Sequence, residues 1–324
     1  MSSQAKDLTP QTLASSEAPV VLGLDFGGTK IAAAVCDLDG LRLGSATVDT
    51  NASDGAKACL ERGIVMAQQL LDSAVPGRAL AAVGACTFGI PGETGIALAP
   101  AVPGWGELQL RHELRQAFGD VEISLANDVK AAAKAEATWG ALVGCDPGIY
   151  LNLGTGLGVA IVTNGSVLSG AHGASGEIGY NLRTLDDIGL PLEGREPLED
   201  LVSGMGLGRA AARLSTVDTA AEVFGAAASD PAMAQLLASF LKELSYHLVN
   251  LTIAIDPARI VVGGGMVRSW SQLRGGLQIA LSAAVPYPPE LVVARFPFDA
   301  PLMGALALGT AAAEKARAVL SRHI

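Results

Sequence analysis

Short apolar runs alternate with longer stretches of helical periodicity along most of the chain. The first runs are Val20 to Asp25 and Ile31 to Val35, and the turn signal Asp39-Gly40 follows the second. Because apolar runs bounded by turn residues are typical of buried strands, they predict a meander that continues into a third strand. The pattern then predicts a helix over 55–73, a strand over 80–88, a helix over 107–118, a strand over 121–126 and an Ala-rich helix over 129–139. The predicted order of this half is βββαβαβα.

The same order of elements begins again near residue 150. Tyr150 to Gly154 and Val159 to Val162 are apolar runs, and Asn164-Gly165 is a hairpin signal. Set side by side, residues 24–29 (Leu-Asp-Phe-Gly-Gly-Thr) and 151–156 (Leu-Asn-Leu-Gly-Thr-Gly) share a plan of strand, glycine-threonine turn and returning strand. We therefore predict an internal duplication with two similar halves.

The remainder of the second half also alternates between helical and strand patterns. It predicts helices near 198–213, 217–228 and 231–255, a strand over 259–262, a helix over about 268–284, a strand over 290–296 and a last helix over about 303–322. Together with the duplication, this predicts two α/β domains flanking a cleft in which ligands bind at strand carboxyl ends. The predicted divisions are a flexible leader (1–18), a small domain (19–126, completed by a C-terminal helix at about 305–324) and a large domain (127–304).

Composition is consistent with a folded two-domain protein of 324 residues, of which 50% are hydrophobic and 17% charged. A formal net charge of −10 disfavours nucleic acid and anionic membranes as partners. No apolar stretch reaches the ~18 residues needed to span a bilayer, and the first residues lack the pattern of a secretion signal. The four cysteines show no C-x-x-C spacing, which favours reduced thiols and a cytoplasmic protein: Cys36, Cys59, Cys86 and Cys145.

Glycines directly after two of the predicted strands indicate phosphate binding, because backbone N–H groups can then approach anionic oxygens closely. Gly27-Gly28 and Gly154-Thr155-Gly156 qualify, whereas a P-loop motif and a strand-to-helix G-x-G-x-x-G are both absent. Either loop alone is more often a plain tight turn, but the pair favours phosphate. Asp25 would hold Mg²⁺ directly or through water, and Thr29, Lys30 and Thr155 would donate to phosphate oxygens. The alternative for Lys30 is a solvated surface lysine.

The segment Leu24-Asp25-Phe26-Gly27-Gly28-Thr29-Lys30 resembles the opening phosphate signature of the ROK family of bacterial sugar kinases and repressors. The resemblance continues in the family's order over roughly residues 20–310. The further matching segments are Gly89-Ile90-Pro91-Gly92, Val102-Pro103-Gly104-Trp105, Asn127-Asp128, Leu153 to Gly158, Gly170 to Gly179 and Val261 to Gly265.

The resemblance implies an actin-like ATPase (hexokinase-like) fold with ATP and Mg²⁺ between the domains and a hexose deep in the cleft. It implies sugar contacts at Gly92, Asn127, Asp128, Glu177, Tyr180 and Glu199. It implies nucleotide contacts at Asp25, Gly27, Gly28, Thr29, Lys30, Gly154, Thr155 and Gly156, with Gly263, Gly264 and Gly265 beside adenosine. A homodimer is implied by the resemblance alone.

Asp128 is the predicted catalytic base, which deprotonates the sugar hydroxyl in line with the γ-phosphate. On local sequence alone, an Asp between a strand and a helix is more often an N-cap. Glu177 lies between glycines that would let the backbone approach a ligand, and its alternative is a solvated loop residue. Glu199 lies in an acidic stretch, 193–200, that also fits an ordinary helix start.

The sequence departs from the family's pattern at two positions. Tyr180 stands where members usually carry a histidine that meets the sugar and binds structural zinc, and residues 181–200 contain no cysteine. We therefore predict no zinc site, which a finding of stoichiometric zinc would contradict. Ala101 replaces an asparagine that often precedes the Pro-Gly-Trp element, which leaves the identity of the sugar open.

Glucose is the predicted substrate, with glucose 6-phosphate as product, because residues 173–177 resemble the glucokinase-like branch. Other hexoses, N-acetylhexosamines and polyphosphate as donor remain open. A non-catalytic sugar-sensing ROK protein is the main alternative, although about 19 residues before the first strand are too few for a helix-turn-helix domain. An ATP-driven structural or chaperone protein would not need the sugar-binding residues.

Overall fold

The computed structural model describes residues 18–321, and its first part is a five-stranded sheet flanked by helices. The predicted leader lies outside the described residues except for Ala18. The strands are β1 (Val20–Phe26), β2 (Lys30–Cys36), β3 (Arg42–Asp49), β4 (Leu80–Thr87) and, after a short hairpin of β5 (Ile90–Pro91) and β6 (Ile96–Ala97), β7 (Glu122–Asn127). Their order is β3-β2-β1-β4-β7, with β1 antiparallel to β2 and parallel to β4. The helices are α1 (Ala56–Ala74), α2 (Leu110–Phe118) and α3 (Asp128–Trp139).

The second part repeats this sheet. Its strands are β8 (Gly148–Leu153), β9 (Leu157–Thr163), β10 (Ser166–Val167), β11 (Arg259–Gly263) and β12 (Glu290–Val293), in the order β10-β9-β8-β11-β12. The helices are α4 (Gly204–Ala212), α5 (Ala220–Ala226), α6 (Pro231–Ile255), α7 (Trp270–Ala284) and α8 (Ala300–Leu320). In both sheets the first hairpin is antiparallel and the later strands join in parallel, so the predicted duplication is confirmed.

Strand β1 shows why these segments are apolar throughout rather than alternating. Leu22 and Leu24 pack into the core shared with α1, whereas Val21 packs against Leu306 of α8 on the opposite face. A strand covered by helices on both faces buries every side chain, so its sequence is a continuous apolar run.

Helix α8 crosses behind the first sheet and meets α3 at the junction of the two sheets. A Cβ on Gly304 would collide with the carbonyl oxygen of Ala131 in α3, and one on Gly84 would collide with that of Ala305. Glycine at these positions lets the backbones touch. The end of the chain is therefore part of the packing that positions the start of α3.

Several predicted boundaries were wrong for identifiable reasons. The helix predicted over 198–213 is a 3₁₀ helix at Leu198–Asp200 followed by α4, whose Ser203 cap accepts from Gly206 N at 3.0 Å. The interruption exists because Gly204 N donates to the Gly154 carbonyl at 2.8 Å, a tertiary contact without a local signal. Helix α5 starts at Ala220 and not at 217, since Thr219 forms a capping box there.

Two further observations bear on the predictions from composition. None of the helices within residues 18–321 is long and apolar enough to cross a membrane. All four cysteines are free, and three of them are buried: Cys36, Cys59 and Cys86.

Candidate active site

A pocket of about 280 Å³ opens between the two sheets, at the carboxyl ends of β4, β7 and β8. Parallel strands that end at the same edge bring their following residues together, which is where α/β folds bind ligands. The first part contributes mainly apolar walls, such as Phe88 and Leu98. The polar lining comprises Asn127, Asp128, Asn152, Glu177, Tyr180 and Glu199.

Asp128 is the first residue of α3, and the cap of that helix is its neighbour Asn127. Asn127 has an extended backbone, and its Oδ1 accepts from Lys130 N at 2.8 Å. Asp128 Oδ1 accepts from the adjacent Val129 N at 2.9 Å. Because Asn127 performs the capping, capping does not account for an aspartate at 128.

The electrostatic surroundings of Asp128 favour proton uptake. Burial raises the pKa of this carboxyl above its usual value, and the negative charge of Glu199 adds to the rise. Hydrogen bonds from the backbone and the positive charge of Lys130 partly offset it. A carboxylate with a raised pKa is a stronger base than an ordinary aspartate, as proton abstraction requires.

Glu177 is tied to α3 from the other side of the pocket. Its Oε1 accepts from Asn127 Nδ2 at 3.0 Å and lies 3.9 Å from Lys130 Nζ. The preceding Gly176 has a φ of 81°, and a Cβ there would collide with the carbonyl oxygen of Val159. Glycine at 176 therefore lets the loop approach β9 and turn Glu177 toward α3.

Glu199 lies in the 3₁₀ helix Leu198–Asp200, beside the second glycine turn. Its Oε2 accepts from Leu157 N at 2.8 Å, and a Cβ on Gly156 would lie 2.6 Å from that same oxygen. The 3₁₀ helix that carries Glu199 ends before α4 begins at Gly204. Glu199 therefore lies at an acidic helix start, as the alternative expected, and it also contacts the second glycine turn.

Tyr180 borders the pocket with 37% of its surface exposed. Desolvation raises the pKa of its phenol, and the charges of Glu177 and Glu199 raise it further, which shows that all three are close together. The carbonyl oxygen of Tyr180 accepts from Arg195 Nη2 at 2.8 Å. Arg195 thus holds the backbone at the pocket's edge.

The cysteine-free segment after Tyr180 is held by charged contacts. Arg183 Nη1 lies 2.6 Å from Glu196 Oε2, and Arg183 N donates to Asp187 Oδ2 at 2.7 Å. Within residues 18–321, no three His, Cys, Asp or Glu side chains are grouped in a way that would hold a metal ion. The absence of zinc stays a prediction that metal analysis would test.

The second glycine turn, Gly154–Gly156, is enclosed by backbone from two other segments. Its carbonyl groups accept from Gly204 N at 2.8 Å and Met205 N at 3.2 Å. Gly264, with a φ of 87°, lies so close that a Cβ would be 2.5 Å from the Leu153 carbonyl oxygen and 2.8 Å from Gly154 N. The predicted adenosine segment, 263–265, is therefore in direct contact with this turn.

The first glycine turn is closed by a bond from Gly27 N to the Lys30 carbonyl oxygen at 3.0 Å. Thr29 and Lys30 are exposed, and the residues of 27–30 do not line the pocket. Asp25, at the end of β1, accepts from Cys86 Sγ at 3.4 Å. Burial and the nearby charge of Asp128 raise the pKa of Asp25 to about 7, so these two carboxyls are neighbours.

One predicted sugar contact lies outside the pocket, and residues at or near the site were missed. Gly92 lies in the β5–β6 hairpin, where its N–H donates to the Gly95 carbonyl at 2.8 Å, and Ile90 and Leu98 line the pocket instead. The missed residue with the clearest signal is Asn152, which the repeat aligns with Asp25. Apart from its position three residues after the cap, nothing in the sequence indicated that Lys130 lies beside the site.

Comparisons with known proteins identify the family and the fold. The model of the ROK family matches residues 21–312. A glucokinase from Halalkalibacterium halodurans is 30% identical over 279 residues, which are 78% of this chain and 82% of the relative. An N-acetylgalactosamine kinase from Shewanella sp. (strain ANA-3) is 29% identical over 261 residues, 75% and 81% of the two chains. The structure of a ROK family glucokinase from Streptomyces griseus in complex with glucose and AMPPNP superimposes with a TM-score of 0.72, at 26% identity, covering 90% and 99% of the chains.

Proposed function

We propose that this chain, which belongs to the ROK family and has the actin-like ATPase fold, transfers the γ-phosphoryl group of ATP to a hexose hydroxyl. Relatives named as kinases of glucose and of N-acetylgalactosamine support a sugar phosphotransferase without deciding between the two sugars. We propose D-glucose as substrate and glucose 6-phosphate as product, because residues 173–177 resemble the glucokinase-like branch. The alternative is another hexose or an N-acetylhexosamine.

The observation that carries this proposal is the position of Asp128. Its carboxyl lines a pocket together with Asn127, Glu177 and Glu199, and that pocket lies next to the second glycine turn. Sugars are bound by carboxylates and amides that each satisfy one or two hydroxyls, whereas an ATPase without a sugar substrate would not need this set. A buried carboxyl with a raised pKa among them is suited to take a proton.

The proposed reaction uses the chain's residues in three roles. Glu177, Glu199 and Asn127 orient the sugar, so that one hydroxyl faces the phosphate. Asp128 accepts the proton of that hydroxyl as its oxygen attacks the γ-phosphorus, the bond to the β-phosphate oxygen breaks, and ADP leaves. Backbone N–H groups of the glycine turns stabilise the charge on the transferred group.

The residues around the second turn fit a nucleotide. Gly154 and Gly156 leave the backbone of this turn largely without side chains, and such turns suit phosphate groups. Asp25 fits Mg²⁺, because it is an oxygen donor whose negative charge is disfavoured by burial and by Asp128, and a cation would relieve both effects. Mg²⁺ bound with ATP supplies neutralisation of phosphate charge.

The test is a coupled assay of ADP release with Mg·ATP over a panel of hexoses and N-acetylhexosamines, with a polyphosphate arm. We expect one sugar to stimulate release strongly, and Asp128→Asn to lower kcat by about 10²–10⁴-fold. The matched control is Asp120→Asn, which changes an exposed aspartate outside the pocket and should leave kcat unchanged.

Other outcomes would identify the alternatives. Sugar binding without turnover would indicate a sensor, and ATP hydrolysis indifferent to sugar would indicate a structural or chaperone ATPase. Near wild-type turnover of Asp128→Asn would remove Asp128 as the base. In the wild type, kcat/KM should fall as the pH drops through the pKa of Asp128, which burial places above that of an ordinary aspartate.

We also propose that the chain acts as a cytoplasmic homodimer without structural zinc. Four free cysteines agree with a reducing compartment, and the family resemblance is the basis for the dimer. Sedimentation velocity should give about twice the chain's mass, and elemental analysis should give far less than one zinc per chain. A monomer, or stoichiometric zinc, would contradict the respective statement.

A further inference from the structure

Lys130 is a buried lysine to which the proposed reaction assigns no role. It lies three residues after the cap of α3 with 7% of its surface exposed. Its Nζ is 3.9 Å from Glu177 Oε1 and has no hydrogen-bond partner among the residues that the structure describes. A buried ammonium without hydrogen bonds is costly, so it needs a compensating negative charge.

Three carboxylates of the pocket influence Lys130 directly or through Glu177. Glu177 and Asp128 both raise the pKa of Lys130 against the larger lowering effect of burial, and Glu199 acts on Glu177. Among the ion pairs found in residues 18–321, Lys130–Glu177 alone joins a cation to any of these three carboxylates. The other groups lining the cavity beside Lys130 are uncharged, except for Lys134 one helical turn later.

We propose that Lys130 is a positioning residue that keeps Glu177 ionised and fixed beside α3, so that Glu177 accepts hydrogen bonds from the sugar at neutral pH. The inference rests on the proposed function, because it assigns the sugar to Glu177. Lys130 would act through Glu177 and not by touching the ligand, since its Nζ is almost completely inaccessible and it does not line the pocket.

The contacts on Glu177 fit this role. Asn127 Nδ2 and Lys130 Nζ both approach Oε1, at 3.0 and 3.9 Å, which leaves Oε2 for hydroxyl groups. A carboxylate held at one oxygen has a restricted orientation, and the second oxygen is then placed before the sugar arrives. Preorganisation of this kind lowers the cost of binding.

The charge of Lys130 also opposes the other influences on Glu177. Burial raises the pKa of Glu177, the charges of Asp128 and Glu199 raise it further, and Lys130 is the largest influence that lowers it. Removing Lys130 should therefore raise the pKa of Glu177 further. A protonated carboxyl is a weaker acceptor, so the loss of sugar binding should appear at low pH and disappear at high pH.

The experiment compares the wild type with Lys130→Met, Lys130→Gln and Lys130→Arg, and Lys134→Met is the matched control on the same helix. Binding of D-glucose is measured by calorimetry without ATP from about pH 5.5 to about pH 9. We expect the Met and Gln variants to bind about tenfold more weakly near pH 6 and within about twofold of wild type at the highest pH. Lys130→Arg should restore part of the affinity, and Lys134→Met should match the wild type throughout.

Two results would overturn the inference. One is a loss of affinity that is equal at all pH values, which would mean a structural role only, and the other is no loss at all. If the wild type binds no sugar, the proposed function fails, and carbon-13 NMR of the Glu177 carboxyl, assigned with Glu177→Gln, decides the matter for Lys130. The titration midpoint of the Glu177 carboxyl should be about one pH unit higher in Lys130→Gln than in the wild type. An unchanged midpoint rejects the inference.

Discussion

The two glycine turns occupy equivalent places in the two sheets, yet they differ in the residue two positions before the first glycine of each turn. In the first half the next-to-last residue of β1 is Asp25, which pairs with Cys86 of β4, and in the second half the next-to-last residue of β8 is Asn152, which pairs with Gly263 of β11. The backbone plan is the same, with an antiparallel hairpin closed by the turn. One half therefore places a carboxyl where the other places a neutral amide.

The two turns also differ in how closely other segments pack against them. The second turn accepts a hydrogen bond from Gly204 N, and Gly264 lies so close to it that a Cβ there would be 2.8 Å from Gly154 N. At the first turn Thr29 and Lys30 are exposed. The comparison teaches that a duplicated scaffold can place different groups at equivalent turns, here a buried carboxyl near one turn and closely packed backbone at the other.

The largest expected effect comes from making the first half resemble the second. Asp25→Asn replaces the carboxyl with an amide of nearly the same shape, which would bind Mg²⁺ poorly. We expect kcat with Mg·ATP to fall by about 10²-fold or more, while D-glucose binding without ATP changes little. Asp72→Asn, on an exposed face of α1, is the control. Turnover of Asp25→Asn within about threefold of the wild type would remove Asp25 from the nucleotide site.

The next effect tests the backbone packing of the second turn. Gly264→Ala adds a Cβ 2.5 Å from the Leu153 carbonyl oxygen at a φ of 87°, so the turn must shift. Strain of this kind costs about 1–3 kcal/mol, and we expect KM for ATP to rise about tenfold. Gly275→Ala in α7 is the control, because no atom would lie within 4 Å of its Cβ and the residue is outside the proposed nucleotide site. Equal KM values for the two variants would show that the close approach is irrelevant to the nucleotide.

Much of this arrangement was predictable because its signals are local. Apolar runs predicted β1 and β8, and the side-by-side alignment of 24–29 with 151–156 predicted the shared strand order. The pocket contains Asn127, Asp128 and Glu177 together, and the family resemblance, not their spacing, had grouped them.

The rest depends on contacts between distant segments, for which local sequence has no signal. The break before α4 follows from the bond between Gly204 and Gly154, fifty residues apart. The buried Lys130 has its Nζ 3.9 Å from Oε1 of Glu177, which lies on a distant segment of the chain. An Ala-rich helix such as α3 has small side chains on every face, so its pattern did not show which lysine would be buried.

A smaller effect is expected when the second half is made to resemble the first. Asn152→Asp adds a carboxyl to a pocket that already holds those of Asp128, Glu177 and Glu199. Like charges disfavour ionisation, so the acidic limb of kcat/KM should move to higher pH, with a loss of about tenfold or less near pH 7. Asn152→Ser is the control, since it removes the amide without adding charge. If both variants have the same pH profile, the uncharged character of residue 152 is not what matters.

The smallest effect concerns the stability of the fold. It measures how much the buried carboxyl of Asp25 destabilises the folded state, separately from its proposed role in binding Mg²⁺. Burial and Asp128 raise the pKa of Asp25 from 3.8 to about 7, so the folded state holds this proton more tightly than the unfolded state does. Folding is consequently penalised as the pH rises from about 4 to about 7, and above that the penalty is constant. Asn152 carries no such penalty, and neither would Asp25→Asn.

We expect the Tm of Asp25→Asn, without nucleotide, to exceed that of the wild type by about 2 °C or more near pH 8, with the difference disappearing near pH 4. Asp72→Asn should show no such pH-dependent gain, and a Tm of Asp25→Asn below the wild type near pH 8 would mean that the carboxyl stabilises the turn.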